Sequence, residues 1–257
     1  MLLREALMID YLFLPLAQTG IFELLAPAPP GWGGNLLRGF INSVEIGVGA
    51  FSLGLLIGTG GAYGKLYGGH VLRDLLQVYT TLIRAVPELV LILLIYFAVP
   101  DLINRLLDIV GSGRIDVSGP VAGIVALGFV QGAYATEVLR GAILAVPQGQ
   151  IEAGRAFGMT PTLLMRRITL PAMLPFAIPG LANLWVVAFK STALLAVVGF
   201  NELTLETRQA AGATKAYFTF FMAAGMLYLF LTLISNVLIG GVEHWARRGQ
   251  PPIAESR

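Results

Sequence analysis

Long apolar runs separated by short polar stretches recur along the 257-residue chain, and their lengths set the architecture. Residues 41–60 are apolar apart from Asn42, Ser43, Glu45, Ser52 and Thr59, and comparable runs fill residues 75–99, 119–139, 175–199 and 218–242. About 20 such residues are what an α-helix needs to cross the hydrocarbon core of a bilayer. The pattern therefore predicts an all-α membrane protein with five spanning helices. Gly54 and Gly58 lie four apart in the first run and make a small-residue edge on which a second helix can pack closely. Residues 60–73, rich in glycine and carrying Lys65, His70 and Arg73, read as a short basic turn. Residues 101–119 set Asp101, Asp108 and Asp116 against Arg105 and Arg114, residues 201–215 form a second polar connection, and residues 244–257 a basic tail. Ahead of the first span, residues 11–26 are apolar but broken by Pro15, Gln18 and Glu23. That stretch reads as an interfacial helix ending at residues 27–34; no small-x-small cleavage site follows to make it a signal peptide.

The most polar connection is residues 147–171, PQGQIEAGRAFGMTPTLLMRRITLP. Two short helices are expected in it, over residues 151–157 and 161–168. Gly158 takes a left-handed turn between them, Pro161 sits in a first helical turn, and Pro171 ends the second helix. A structured, charged helix–turn–helix held between two spans offers a surface for a partner.

Composition supports the membrane assignment. Apolar residues make up 56% of the chain and charged ones 12%, about half the charged share of a soluble domain. No cysteine is present, which removes disulfides and thiolate metal sites, and the two histidines, His70 and His244, are far apart. With five spans, alternate connections share a side. One side gathers Lys65, Arg73, Arg140, Arg155, Arg166, Arg167, Arg247 and Arg248; the other gathers Arg38, Arg105, Arg114, Arg208 and Lys215. The cationic excess places the first side in the cytoplasm, with the N-terminus outside and the C-terminus inside.

Ionisable residues within the runs are candidates for a transport path, because each costs about 2.5–3.5 kcal/mol to insert. Arg84 and Glu88 are four apart in the second run, on one helix face, and can pair with each other. Counting about 1.5 Å per residue from Pro100 puts Glu88 roughly 18 Å below the outer end, near the midplane. Lys190 lies within the fourth run, and Glu137 lies lower in the third, one turn from Arg140. A carboxylate at Glu88 or Glu137 facing an ammonium at Lys190, helped by the Ser191 and Thr192 hydroxyls, suits a zwitterion with a cationic tail. The competing reading is that Arg84, Glu88 and Lys190 neutralise one another between helices, and that Gln131 only bridges two helices.

Glu152, Ala153 and Gly154, then Gly158, then Ile168, Leu170 and Pro171 resemble, in type and spacing, the EAA loop of ABC importer permeases. Gly154 stands where that motif has a second alanine. The segments YTTLIRAVPELVLILLIYF (79–97), VAGIVALGFVQGAYATEVLRGAILAVPQGQIEAGRAFG (121–158) and KSTALLAVVG (190–199) look like the polar amino acid permeases of the histidine, lysine–arginine–ornithine and opine branch. The similarity extends over nearly everything after Gly34. It implies the type I importer fold, a transmembrane domain over residues 35–245 preceded by a segment over 1–34 and followed by a tail over 246–257, in a bacterial cytoplasmic membrane. It implies that Glu152, Ala153, Gly154, Arg155, Gly158, Met159, Thr160 and Pro161 seat in a cytoplasmic ABC ATPase dimer. A second permease subunit, sibling or identical copy, completes the pore, and a periplasmic binding protein delivers a polar, cationic amino acid. Membrane lipid, and no nucleic acid, is expected around it. The chain itself is expected to hold no cofactor and to catalyse nothing, with ATP and Mg on the partner; no G-x-x-x-x-G-K-[ST] loop occurs in it. Glu88, within R-A-V-P-E, fits a cationic substrate. The alternatives are an ion-coupled secondary carrier, disfavoured by the lack of internal repeats, and a channel subunit, in which the central loop has no role.

Overall fold

The computed structural model describes residues 20–109, 111 and 119–246, and among them every regular element is helical. After a short turn at Ile21–Leu24 come α1 (Gly33–Tyr67), α2 (His70–Ala85), α3 (Glu88–Ile109), α4 (Gly119–Leu144), α5 (Gln148–Ala156), α6 (Pro161–Val198), α7 (Leu203–Thr214) and α8 (Tyr217–Ala246). Five of these, α1, α3, α4, α6 and α8, are long and apolar enough to cross a membrane. The expectations for residues 1–19, Arg114, Asp116, Arg247 and Arg248 lie outside the described residues.

The α1–α4 pair is the spine of the bundle, and glycine is the reason. A Cβ at Gly54 would stand 2.8 Å from the Cβ of Gln131, and one at Gly58 would stand 2.4 Å from that of Ala135. The small-residue edge read from residues 54 and 58 is thus a close seam, with α4 backbone atoms about 3 Å from where a Cβ would stand, as in other lipid-embedded pairs. It extends further than expected. Residues 60–67 are not a turn but the last turns of α1, and Gly61 and Gly64 pack on Thr136 and Leu76. Glycine there serves close approach rather than a bend. Across the bundle, α6 joins α8 through the Trp185 Nε1–H, which donates to Ser235 Oγ at 3.0 Å, and Trp185 meets Phe51 of α1 edge to face.

Two proline positions depart from the sequence reading. The run over residues 75–99 is not one helix. Val86 is extended (φ −95°, ψ 140°) ahead of Pro87, which disfavours helical backbone in the residue before it. The chain therefore rises as α2, breaks, and continues as α3. Pro171, conversely, ends nothing. A π-helical turn at Met165–Thr169 carries α6 through it, as does another at Leu94–Ala98 ahead of Pro100. Such local widening re-satisfies backbone groups that a proline frees inside a membrane. The polar connection over residues 201–215 is also ordered, as α7, whose Leu203, Ala210 and Ala211 pack on Leu36 of α1 and Phe220 of α8.

These contacts define two ends of the bundle. At one, Tyr63 and Tyr67 of α1 face α5 across a cleft; at the other, the start of α1 meets α7. Glu88 lies between them. Its neighbours Ile83 and Leu91 pack with Val130 and Ala133, halfway along α4.

Candidate functional site

The central loop is built on a left-handed glycine. Helix α5 closes at Phe157, and Gly158 has φ +74°. The Gly158 N–H donates to the Arg155 carbonyl at 2.9 Å and the Met159 N–H to the Gly154 carbonyl at 3.1 Å. That pair of bonds is a Schellman closure, which requires the left-handed conformation and hence favours glycine. Thr160 starts the next helix: its Oγ1 accepts from the Leu163 N–H at 3.4 Å, with Pro161 at the first helical position.

The turn folds α5 back on the start of α6. Gly154 is the one buried residue of α5, and a Cβ there would meet Leu164 Cδ1 at 2.5 Å and Ile168 Cδ1 at 2.6 Å. Glu152, Ala153, Arg155, Ala156 and Phe157 consequently point outward, with Arg166 and Arg167 exposed beside them. Phe157 is 85% exposed, the outlier among the aromatic side chains of this end and one that motif spacing did not single out. Between α5 and α1 runs a cleft of about 470 Å³, lined by Tyr63, Tyr67, Ile151, Arg155 and Met159 among others. The result is an exposed short helix with charged and aromatic side chains, anchored at its back by Gly154 against Leu164 and Ile168.

The polar groups inside the bundle divide into engaged and unengaged sets. Arg84 and Glu88 form no ion pair, contrary to the i, i+4 expectation, because the break at Val86–Pro87 destroys the helical register that would align them; Arg84 is exposed. Glu88 keeps a buried Oε1 with no hydrogen-bond partner among the described residues, as does Gln131. Gln131 lines a narrow crevice with Phe51, Gly54 and Leu184. Lys190 is exposed and borders a different crevice, beside Tyr228 and Thr232 of α8, so the structure does not bring it together with Gln131. Ser191 is buried, and the Thr192 hydroxyl donates to the Phe189 carbonyl at 2.7 Å.

Glu137 is fully engaged. Its Oε1 accepts from Lys65 Nζ at 2.5 Å, and its Oε2 accepts from Arg140 Nε at 3.1 Å and Nη2 at 2.9 Å. Lys65 Nζ also donates to Thr80 Oγ1 at 2.9 Å. Lys65 and Thr80 were not among the sequence candidates; Lys65 reads as part of a basic turn only while the glycines before it are taken for loop. Glu202 was missed for a similar reason. It caps α7 within a supposed loop and is fully buried. Its Oε1 accepts from the Leu205 N–H at 2.8 Å and its Oε2 from the Ser43 and Tyr228 hydroxyls, each at 3.3 Å. Burial pushes the Glu202 carboxyl above the usual range, against the pull of the Thr204 and Leu205 N–H groups and the Tyr228 hydroxyl. Among the described residues no group of three or more histidines and carboxylates is placed to hold a metal.

Known proteins resemble this chain in sequence and in fold. A family model described as binding-protein-dependent transport system inner membrane component matches residues 50–248. The chain is 42% identical over 206 residues to the histidine/lysine/arginine/ornithine transport system permease protein HisQ of Escherichia coli (strain K12), covering 80% of this chain and 90% of that one. It is 40% identical over 228 residues to the nopaline transport system permease protein NocQ of Agrobacterium fabrum (strain C58 / ATCC 33970), covering 88% and 97%. Among solved structures, a crystal structure of an amino acid ABC transporter with histidines superposes with a TM-score of 0.71 at 28% identity, over 83% of this chain and 95% of that one.

Proposed function

The chain belongs to the family of binding-protein-dependent transport system inner membrane components, the permease subunits of ABC importers, and from that premise we propose that it carries cationic amino acids or opines inward, powered by an ATPase docked on α5. The observation that carries the proposal is the outward face of α5, held by the Schellman turn at Gly158 and the buried Gly154. Glu152, Ala153, Arg155 and Phe157, with Met159, Thr160 and Pro161 forming the turn, are the residues that meet the ATPase. Movement of that partner displaces α5 and, through it, the helices on either side. The partner holds ATP and Mg; this chain holds neither. The cations at the α5 end, Lys65, Arg73, Arg140, Arg155, Arg166 and Arg167, outnumber Arg38, Arg105, Arg208 and Lys215 at the other among the described residues. That excess supports a cytoplasmic position for α5 and a periplasmic one for the start of α1, where a binding protein would deliver substrate.

Glu88 is the proposed cation acceptor. It sits at mid-bundle beside the proline break, with a buried carboxylate oxygen that no donor among the described residues satisfies. A substrate ammonium or guanidinium supplies both the missing hydrogen bond and the charge. Gln131 is proposed for the polar end of the substrate, whereas Lys190, exposed in a separate crevice beside α8, is not brought to that set. Glu137 and Thr192, committed to Lys65 and Phe189, are left out of that set, as is the exposed Arg84.

The test is co-purification. The tagged permease, expressed with the products of adjacent genes, retains an ABC ATPase whose hydrolysis rises when an amino-acid-loaded binding protein is added. A permease that carries labelled amino acid alone, on an ion gradient, overturns the reading.

A further inference from the structure

Resting on that reading, we propose that Lys65, Glu137, Arg140 and Thr80 form an ionic joint that carries displacement of α5 into the helix bearing the substrate-binding carboxylate. The joint ties three elements at one point. Arg140 and Glu137 stand on α4 a short way before it turns into α5 at Gln148; Lys65 stands in the last turns of α1; Thr80 stands on α2, which ends at the Val86–Pro87 break immediately before Glu88. The Lys65 side chain is 3% exposed and that of Glu137 18%. Both Glu137 oxygens are occupied, one by a cation of another helix and one by a cation of its own.

Burying such a group is costly, and well-packed apolar side chains in its place are often neutral or more stabilising. Stability alone therefore does not account for it. What charge-assisted bonds add is direction and geometry. The glycine seam already fixes α1 to α4 over Gly54, Gly58 and Gly61. Lys65 lies one turn beyond the end of that seam and has two acceptors, one on α4 and one on α2. A push on α5 then moves α4 and α1 as one body and draws α2 with them, toward or away from the break that positions Glu88. Without the joint, α2 touches this body through apolar contacts, Leu76 against Gly64 among them, and the Tyr79 hydroxyl bond to the Phe129 carbonyl, which hold it in place but add no charge-assisted link of fixed direction between α2 and α4.

Lys65, Glu137 and Arg140 are thus positioning residues rather than substrate ligands. The experiment uses the whole complex, permease with its partner permease, ATPase and binding protein, in proteoliposomes. Lys65→Met removes the cation but leaves Glu137 paired with Arg140, and Thr80→Val cuts only the link to α2. Both variants are expected to assemble in wild-type yield with unchanged basal hydrolysis. The ratio of binding-protein-stimulated to basal hydrolysis is expected to fall about ten-fold, within the usual span of coupling between sites, and uptake with it. Wild-type ratios in both variants overturn the joint, and so does a loss that merely tracks the amount of folded complex. Should the wild-type complex itself show no ATP-driven uptake, the transport reading falls first and the joint with it.

Discussion

Gly58 and Ala135 touch backbone to backbone: a Cβ on Gly58 would lie 2.4 Å from the Ala135 Cβ and 2.9 Å from its carbonyl carbon. Neither neighbour is the free end of a side chain, so nothing can swing aside. Gly58→Val is therefore expected to force α1 from α4 and to cost at least the 1–3 kcal/mol typical of overpacking. Gly60→Ala, with nothing within 4 Å of its Cβ, is expected to be neutral or up to about 1 kcal/mol stabilising, as alanine is the better helix former. Thermal unfolding of the detergent-solubilised protein compares the two; equal melting of both variants contradicts the packing account.

The turn after α5 isolates a backbone effect. A Cβ at Gly158 meets no atom within 4 Å, yet φ is +74°. Gly158→Leu is expected to lose coupling of hydrolysis to uptake, because a left-handed conformation costs an L-residue roughly 1–2 kcal/mol and a helical or extended one breaks the Schellman bonds. Gly158→Asn, which tolerates that conformation better, is expected to retain most of it. Gly154→Ala, which restores the alanine of the EAA pattern, presses only on the ends of Leu164 and Ile168 and is expected to change uptake little. Transport and ATPase assays on the three variants check the ranking; an active Gly158→Leu beside an inactive Gly158→Asn reverses it.

Much of this was legible in the chain. The number of spanning helices, the small-residue edge at Gly54 and Gly58, and the turn at Gly158 all follow from local rules that lipid makes stricter. What escaped were features decided by tertiary contact. Glycines at 61 and 64 look like turn residues until Thr136 and Leu76 are brought against them. Pro171 looks like a stop until a π-helical turn absorbs it, and Pro87 looks tolerable until Val86 extends. Lys65 and Glu137 are 72 residues apart and Ser43 and Glu202 159 apart, distances over which no periodicity speaks. The pairing of Arg84 with Glu88 failed because it assumed a continuous helix.

Substrate charge is tested at Glu88. Glu88→Gln preserves shape and an acceptor oxygen but removes the negative charge, so uptake of labelled arginine or lysine is expected to fall about ten-fold or more, the loss of roughly 1.4 kcal/mol or more of charge-assisted binding. ATPase association should be untouched. Unchanged uptake removes Glu88 from the site.

Glu202 gives the protein a pH dependence of stability with a definite sign. Its carboxyl is raised by burial, as is that of Glu206, against the Asn35 and Arg38 side chains. A raised carboxyl binds protons more tightly when folded than when unfolded. Its contribution is therefore greatest below the ordinary carboxylate range and is lost as pH climbs through the raised value. Glu202→Gln keeps an acceptor for the Leu205 N–H and removes the titration. Melting curves between about pH 4 and about pH 8 should show wild type declining relative to Glu202→Gln as pH increases; parallel curves contradict the assignment.

The most direct measurement is uptake of a panel of labelled amino acids into proteoliposomes holding the permease pair, the ATPase and the binding protein. Accumulation of cationic amino acids that requires both internal ATP and external binding protein, and that survives collapse of every ion gradient, is the predicted result. Accumulation that follows an ion gradient without nucleotide contradicts the account.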